Sequence, residues 1–162
     1  MKRATISDLD DLLDLYRHCS INTKTRFGYD HWIETFDRKM YEQKIHDGLV
    51  YVLKDQNKLM GSFILERSYP EYVPKRFAND KQPFRYLKKL AVHPEHQSQG
   101  IGTLLMNHAE SICKALNVEV LRMDYRTNFK HLKRFYQRLN YQPIGVGYID
   151  DVAVILIEKH LD

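Results

Sequence analysis

The stretch Gln97-Ser98-Gln99-Gly100-Ile101-Gly102 stands between a strand-like run and an amphipathic helical pattern, and this junction limits the possible folds most severely. Before it, residues 84–93 read as a central strand, which Pro94 stops because proline cannot donate to a ladder. After it, Leu104, Leu105, Ala109, Ile112 and Leu116 recur at helical spacing, and the strand-like 118–125 follows. The result is a β-α-β unit with a glycine-bearing turn at the helix start. Unpaired N–H groups and the positive helix end attract phosphate at such a turn, and Gly100 and Gly102 would let the backbone come close. Gln97, Ser98 and Thr103 can add polar contacts. A plain tight turn is the competing reading of the same residues. A third glycine for a dinucleotide fingerprint and a Gly-Lys-Ser/Thr for a triphosphate loop are both missing.

The rest of the chain surrounds this unit with further elements. Residues 2–6 suit a first strand, and Ser7 offers a cap to a helix carrying Leu9, Leu12, Leu13 and Tyr16. A second helical pattern follows Asp30, with Trp32, Ile33, Phe36, Met40 and Tyr41 on one face. Runs 48–54 and 59–66 around the polar turn 55–58 read as an antiparallel hairpin. Residues 67–83, with three prolines, read as a surface loop long enough to be functional. Thr127 or Asn128 can cap a helix with Leu132, Phe135, Tyr136 and Leu139, and 142–149 and 151–160 complete the chain as strands. The order β-α-α-β-β-β-α-β-α-β-β implies an α/β (mixed α+β) fold, a central mixed antiparallel/parallel sheet covered by helices. With 162 residues and no linker or repeat, one domain over 1–162 is expected.

Composition excludes several classes. The chain has 43% hydrophobic and 28% charged residues, too balanced for a disordered chain, and no apolar run long enough to span a bilayer. The N-terminus has no apolar signal core, so a cytoplasmic protein without a membrane partner is expected. Cys19 and Cys113 are far apart and outside any metal-ligand spacing, which points to reduced thiols and no zinc site. His93-Pro94-Glu95-His96 has the residue types of a metal pair, but it lies in the turn before the phosphate loop, and no metal is expected. The net charge of +4 suits an anionic cofactor. The excess is too modest to point to nucleic acid as partner, although Lys75, Arg76, Lys81, Arg85, Lys88 and Lys89 would be the residues to bind it.

The motif 97–102, preceded by Leu87-Lys88-Lys89-Leu90-Ala91-Val92-His93-Pro94, resembles the signature Gln/Arg-x-x-Gly-x-Gly/Ala of the GNAT superfamily of acyl-CoA-dependent N-acyltransferases. The resemblance covers nearly the whole chain. A second shared feature is Asn128, Leu132 and Phe135-Tyr136-Gln137-Arg138-Leu139-Asn140-Tyr141, similar to the family's Asn…Phe-Tyr-x-x-x-Gly-Phe ending. Asn140 replaces the usual glycine, and Tyr141 the phenylalanine.

The resemblance implies an N-acetyltransferase that moves an acetyl group from acetyl-CoA to a primary amine of a small-molecule or peptide acceptor, by direct attack in a ternary complex. The backbone of Leu90, Ala91 and Val92 would pair with the pantetheine arm. Residues Gln97, Ser98, Gln99, Gly100, Ile101, Gly102 and Thr103 would hold the pyrophosphate. Asn128 would touch the pantetheine, and Lys133 and Arg138, with Lys130, the ribose phosphate. Tyr136 would match the tyrosine that approaches the sulfur and could protonate the departing thiolate, or it could be a core tyrosine. For the base that frees the amine, Glu66 is preferred over Glu71 and Asp124 because it should end the strand beside the central one. A catalytically silent acyl-CoA-binding module is the rival reading, and a homodimer is left open.

Overall fold

The computed structural model describes residues 1–32, 36–78 and 82–161. Its strands are β1 (Lys2–Arg3), β2 (Val50–Asp55), β3 (Lys58–Glu66), β4 (Phe84–Val92), β5 (Val120–Arg126), β6 (Gln142–Ile149) and β7 (Val152–His160). The helices are α1 (Leu9–Phe27), α2 (Arg38–His46), α3 (Lys75–Ala78), α4 (Ile101–Ala115) and α5 (Lys130–Arg138), with 3-10 turns at Ile6–Asp8 and Pro94–His96. The strands hydrogen-bond in the order β1-β2-β3-β4-β5-β7-β6, with β4 and β5 parallel and the pairs β1/β2, β2/β3, β5/β7 and β6/β7 antiparallel. This is the mixed sheet that the element order implies. The chain forms two compact units, Met1–Leu65 with Lys89–His108, and Glu66–Lys88 with Ala109–Asp162.

In the first unit, α1 buries Leu9, Leu12, Leu13, Leu15, Tyr16 and Cys19 in one core with Val50, Val52, Ile64 and Ala91. Each leucine so buried stabilises the fold by roughly 2 kcal/mol. The helix starts after a 3-10 turn rather than at Ser7, because Asp8 closes a capping box by accepting from the Thr5 amide at 2.8 Å and the Thr5 hydroxyl at 3.0 Å. It ends at Gly28, whose φ of 72° provides the left-handed cap, with its N–H on the Lys24 carbonyl at 2.8 Å. That long first helix displaces the second. Trp32 has φ 64°, and α2 begins only at Arg38, capped by Asp37 through the Met40 amide. The helix expected from Asp30 is therefore corrected to a shorter one, with Trp32 and Phe36 outside it; Ile33 lies outside the described residues. The hairpin β2/β3 forms as expected, with a register shift at Leu53/Lys54.

In the second unit, β5, β7 and β6 form an antiparallel set in which Asp124 faces Leu156. The 67–83 segment is not bare loop, since α3 forms within it, and Val73 joins Tyr86, Val154 and Leu156 in a second core flanked by Tyr69, Tyr72 and Phe77. Helix α5 starts one residue later than an Asn128 cap requires and two later than a Thr127 cap. Its cap position is Phe129, without a side-chain bond.

The β4/β5 ladder is short, pairing Phe84, Arg85 and Tyr86 with Val120, Leu121 and Arg122. Past it, Lys89 has φ 53°, a conformation that breaks strand regularity and twists the chain.

Candidate active site

The carboxyl end of β4 and the turn after it lie in the first unit. The His93 amide bonds the Met60 carbonyl of β3 at 2.8 Å, and the Ala91 carbonyl faces β3 at Gly61. Strand alternation then turns the Leu90 and Val92 backbone groups to the opposite edge. Of the three residues expected along the pantetheine arm, Leu90 and Val92 present that edge, whereas Ala91 is directed into the sheet. The Val92 carbonyl accepts from the Cys19 thiol at 3.3 Å and from Gln97 Nε2 at 3.1 Å.

Gln97 has a structural task that its motif position does not reveal. Its Oε1 accepts from Asn22 Nδ2 at 3.3 Å and Arg26 Nη1 at 3.2 Å, tying the turn to α1. Gln99 Nε2 reaches back to the Glu95 carbonyl at 3.0 Å. Ser98 at φ 62° and Gly100 at φ 82° both take left-handed conformations, and the space where a Gly100 Cβ would sit is open to 4 Å. The first bond of α4 runs from the Leu104 amide to the Gly100 carbonyl at 3.0 Å, so the amides of Ile101, Gly102 and Thr103 have no acceptor within the helix. The turn is thus folded with three donors and an open glycine together, an arrangement suited to a phosphate.

His93, Glu95 and His96 bring ligand atoms within 4.8 Å of one another, a group able to hold a metal ion that the sequence reading does not expect. Burial lowers the pKa of His93, aided by His18, whose ring centroid is 5.2 Å away. Also in this unit is a cavity of about 300 Å³ lined by Arg17, Ser20, Ile21, Lys24, Thr25 and Phe36.

The second unit holds the remaining expected residues. Tyr136 is buried, stacked on Tyr125 at 5.8 Å and edge-on to Tyr141 at 6.1 Å. Its hydroxyl makes no hydrogen bond among the described residues. Burial, then the charge of Asp124, pushes its pKa well above the usual phenol value. Asn128, relieved of capping, has a buried Oδ1 with no hydrogen-bond partner among the described residues. Such an acceptor costs about 1–3 kcal/mol unless something donates to it, and a pantetheine amide N–H fits the need. Lys130, Lys133 and Arg138 are exposed and make no ion pair among the described residues. Glu66 ends β3, partly buried.

Asp124, which the sequence ranks below Glu66, is gripped by two phenols. Both the Tyr72 hydroxyl, at 2.8 Å, and the Tyr86 hydroxyl, at 2.6 Å, donate to its Oδ2. Alternation along β5 could have flagged an inward carboxylate between Met123 and Tyr125, but nothing local announces the two phenols that meet it. Both cysteines are buried, and burial pushes each thiol up to about 12, far from a ready nucleophile.

Residues 9–141 match the family model described as Acetyltransferase (GNAT) family, and the chain belongs to that family. Acetyltransferase activity in general goes with this membership. No curated protein matches the sequence. Among solved structures, the chain is similar to a GNAT-family acetyltransferase from Listeria monocytogenes 4b F2365, with TM-score 0.79, 21% identity and coverage of 99% of this chain and 93% of that one. It is also similar to the PaiA N-acetyltransferase from Thermoplasma acidophilum in complex with coenzyme A, with TM-score 0.78, 18% identity and coverage of 98% and 96%. A third is YncA from Salmonella typhimurium with its cofactor acetyl-CoA, with TM-score 0.71, 16% identity and coverage of 99% and 92%. At these identities the likeness shows the shared fold. Among the described residues, no helix is long and apolar enough to cross a membrane.

Proposed function

We propose that the chain is an acetyl-CoA-dependent N-acetyltransferase acting on a primary amine of a small-molecule or peptide acceptor by direct attack, with 1–162 working as one catalytic domain. The observation that carries the reading is the folded turn 97–103, with three amides lacking helical acceptors and an open Gly100. Family membership and the acetyl-CoA in the Salmonella relative support the choice of donor.

Bound acetyl-CoA supplies the acetyl group as a thioester. The amides of residues 101–103 bind its pyrophosphate, and Gln97 keeps their turn in place. The Leu90 backbone and the Val92 amide offer partners to the pantetheine, Asn128 accepts one of its N–H groups, and Lys133 and Arg138 neutralise the ribose phosphate. Tyr136 keeps its proton at every working pH and donates a hydrogen bond to the thiolate as it departs. The elevated thiols of Cys19 and Cys113 support direct attack over a cysteine-bound acyl group. Glu66, at the end of β3, remains a candidate base from the sequence, to be compared with Asp124.

The test is thiol release from acetyl-CoA against polyamines, amino acids, aminoglycosides and peptide N-termini, with CoA binding followed by calorimetry. Amine-dependent release supports the reading. Binding without release across the panel would favour the silent acyl-CoA-binding module.

A further inference from the structure

The carboxyl group of Asp124 is held asymmetrically. Tyr72 comes from the segment between β3 and α3, Tyr86 from β4, and both phenols donate to the same oxygen, Oδ2. Oδ1 accepts no hydrogen bond among the described residues. Two donors on separately anchored elements fix the plane of the carboxyl and leave one oxygen with spare lone pairs. The anchors are firm. Tyr86 is buried in the second core, and the Tyr72 carbonyl lies 3.2 Å from where a Cβ on Gly147 would sit. Tyr69, stacked on Phe84 at 4.2 Å and edge-on to Tyr86 at 5.8 Å, closes the aromatic side of the group.

We propose that Asp124 receives the acceptor's ammonium group on Oδ1 and takes its proton, with Tyr72 and Tyr86 as the positioning residues that orient the carboxylate. This rests on the acetyltransferase reading and assigns the base that the reading needs. It also defines the acceptor by chemistry: a cationic primary amine whose ammonium is drawn to a partly buried carboxylate beside tyrosine rings.

The step balances as follows. The ammonium gives one proton to Oδ1, the neutral nitrogen forms its bond to the acetyl carbon, and the carbon–sulfur bond breaks with its electron pair going to sulfur. The nitrogen sheds its second proton as the amide forms. One of the two protons ends on the CoA sulfur and the other returns to solvent.

The surroundings suit a group that must accept a proton. Burial raises the Asp124 pKa above the ordinary carboxylate range, while Tyr86, Tyr72 and the charges of Lys88 and Arg126 oppose the rise. Tyr136 on α5 is a further titratable neighbour, its own pKa raised in part by this carboxylate, and from β7 the facing residue is the apolar Leu156. A carboxyl raised in this way holds a proton better than an exposed aspartate does.

The experiment compares Asp124→Asn, Tyr72→Phe and Tyr86→Phe with the parent by pH–rate profile of kcat/KM and by calorimetric CoA affinity. Asn keeps the shape and an acceptor oxygen for the phenols. Asp124→Asn should lose about 100-fold in turnover, with CoA affinity within about twofold of the parent. Its residual rate should rise with the free amine supplied by solution across the whole pH range, without the break that titration of Asp124 gives the parent. Tyr72→Phe should keep most of the rate but move the acidic limb to higher pH, because it removes a donor that favours the ionised carboxylate. A purely structural tyrosine would not move that limb. The assignment is overturned if Asp124→Asn keeps the parent's rate and profile, or if folded Tyr72→Phe leaves the limb in place. Should Asp124→Asn not fold, the limb position in the tyrosine variants decides. A parent that binds acetyl-CoA yet releases no thiol with any amine overturns the acetyltransferase reading and, with it, this role.

Discussion

A methyl group on Gly61 would lie 2.8 Å from the carbonyl oxygen of Ala91 and 2.9 Å from Leu105 Cδ1. The absence of a side chain there lets β3 approach the part of β4 whose outer edge is proposed to meet the pantetheine. Gly61→Ala must push the strand or the helix aside, and forced overpacking of this kind costs about 1–3 kcal/mol. Urea unfolding should show that loss. Calorimetry on the folded fraction should show weaker CoA binding, because the displaced Ala91 carries Leu90 and Val92 with it. A variant with unaltered stability would mean that the strand yields without strain.

Gly100 differs from Gly61 because its surroundings are open and its backbone is the constraint. At φ 82° a side chain is strained even without a clash, by roughly 1–2 kcal/mol for a left-handed non-glycine residue. Gly100→Ala should therefore lower stability by about that amount and weaken CoA binding only modestly. Gly100→Val, whose branches extend into the space assigned to phosphate, should weaken CoA binding at least tenfold. If folded Gly100→Val binds CoA like the parent, the phosphate assignment to this turn is wrong.

The sequence makes the periodic elements legible and leaves the long-range bonds hidden. Leu9, Leu12, Leu13 and Tyr16 announce α1, and the polar turn 55–58 announces the hairpin, because side-chain burial repeats with the period of the element. Thr5, Ser7 and Asp8 can all cap, and only the fold selects the Thr5–Asp8 box over Ser7. Asp30 has the residue type and position of a helix cap, but α1 runs to Phe27 and α2 begins at Arg38, because a helix boundary depends on where the preceding one stops. The glycine turn between β4 and α4 is legible from its own residues, because a glycine ahead of a helical pattern marks the bend. The contacts of Gln97 with Asn22 and Arg26, and of Tyr72 with Asp124, span 75, 71 and 52 positions, and no local pattern encodes a pairing of that range.

Asp8 provides a test of pH dependence apart from catalysis. Burial works against its ionised form, but the Lys54 ammonium at 2.7 Å and the Thr5 amide and hydroxyl outweigh it and hold the carboxyl at about 2. A folded pKa below the unfolded value contributes stability that is present above about pH 4 and is lost as the pH falls towards 2. The contribution is roughly 2 kcal/mol at neutral pH. Asp8→Asn should be less stable than the parent by about that amount at pH 7, and the difference should close near pH 2, by urea unfolding at both values. An equal difference at both pH values would show that Asn fails for reasons of packing rather than charge.

Tyr136 is distinguished from its aromatic neighbours by its hydroxyl, which is buried near Asp124 without a hydrogen bond among the described residues, while those of Tyr72, Tyr86 and Tyr141 are each bonded to a carboxylate. Its ring packs on Tyr125, Phe135 and Tyr141, so Tyr136→Phe preserves the stacking and removes only the donor. If that donor stabilises the thiolate as it leaves, its benefit arises only when the carbon–sulfur bond breaks, and turnover should fall about 100-fold with CoA affinity nearly unchanged. Burial strengthens the phenol's hold on its proton, which argues for a hydrogen bond to sulfur rather than complete transfer, and hence for the lower end of the range that acid catalysis provides. The change should leave the acidic limb of the pH profile in place, since that limb is assigned to Asp124. A fall of less than tenfold would leave protonation of the thiolate to water. If the melting temperature and CoA binding collapse while turnover per bound complex survives, Tyr136 is a core residue and the donor must be sought elsewhere.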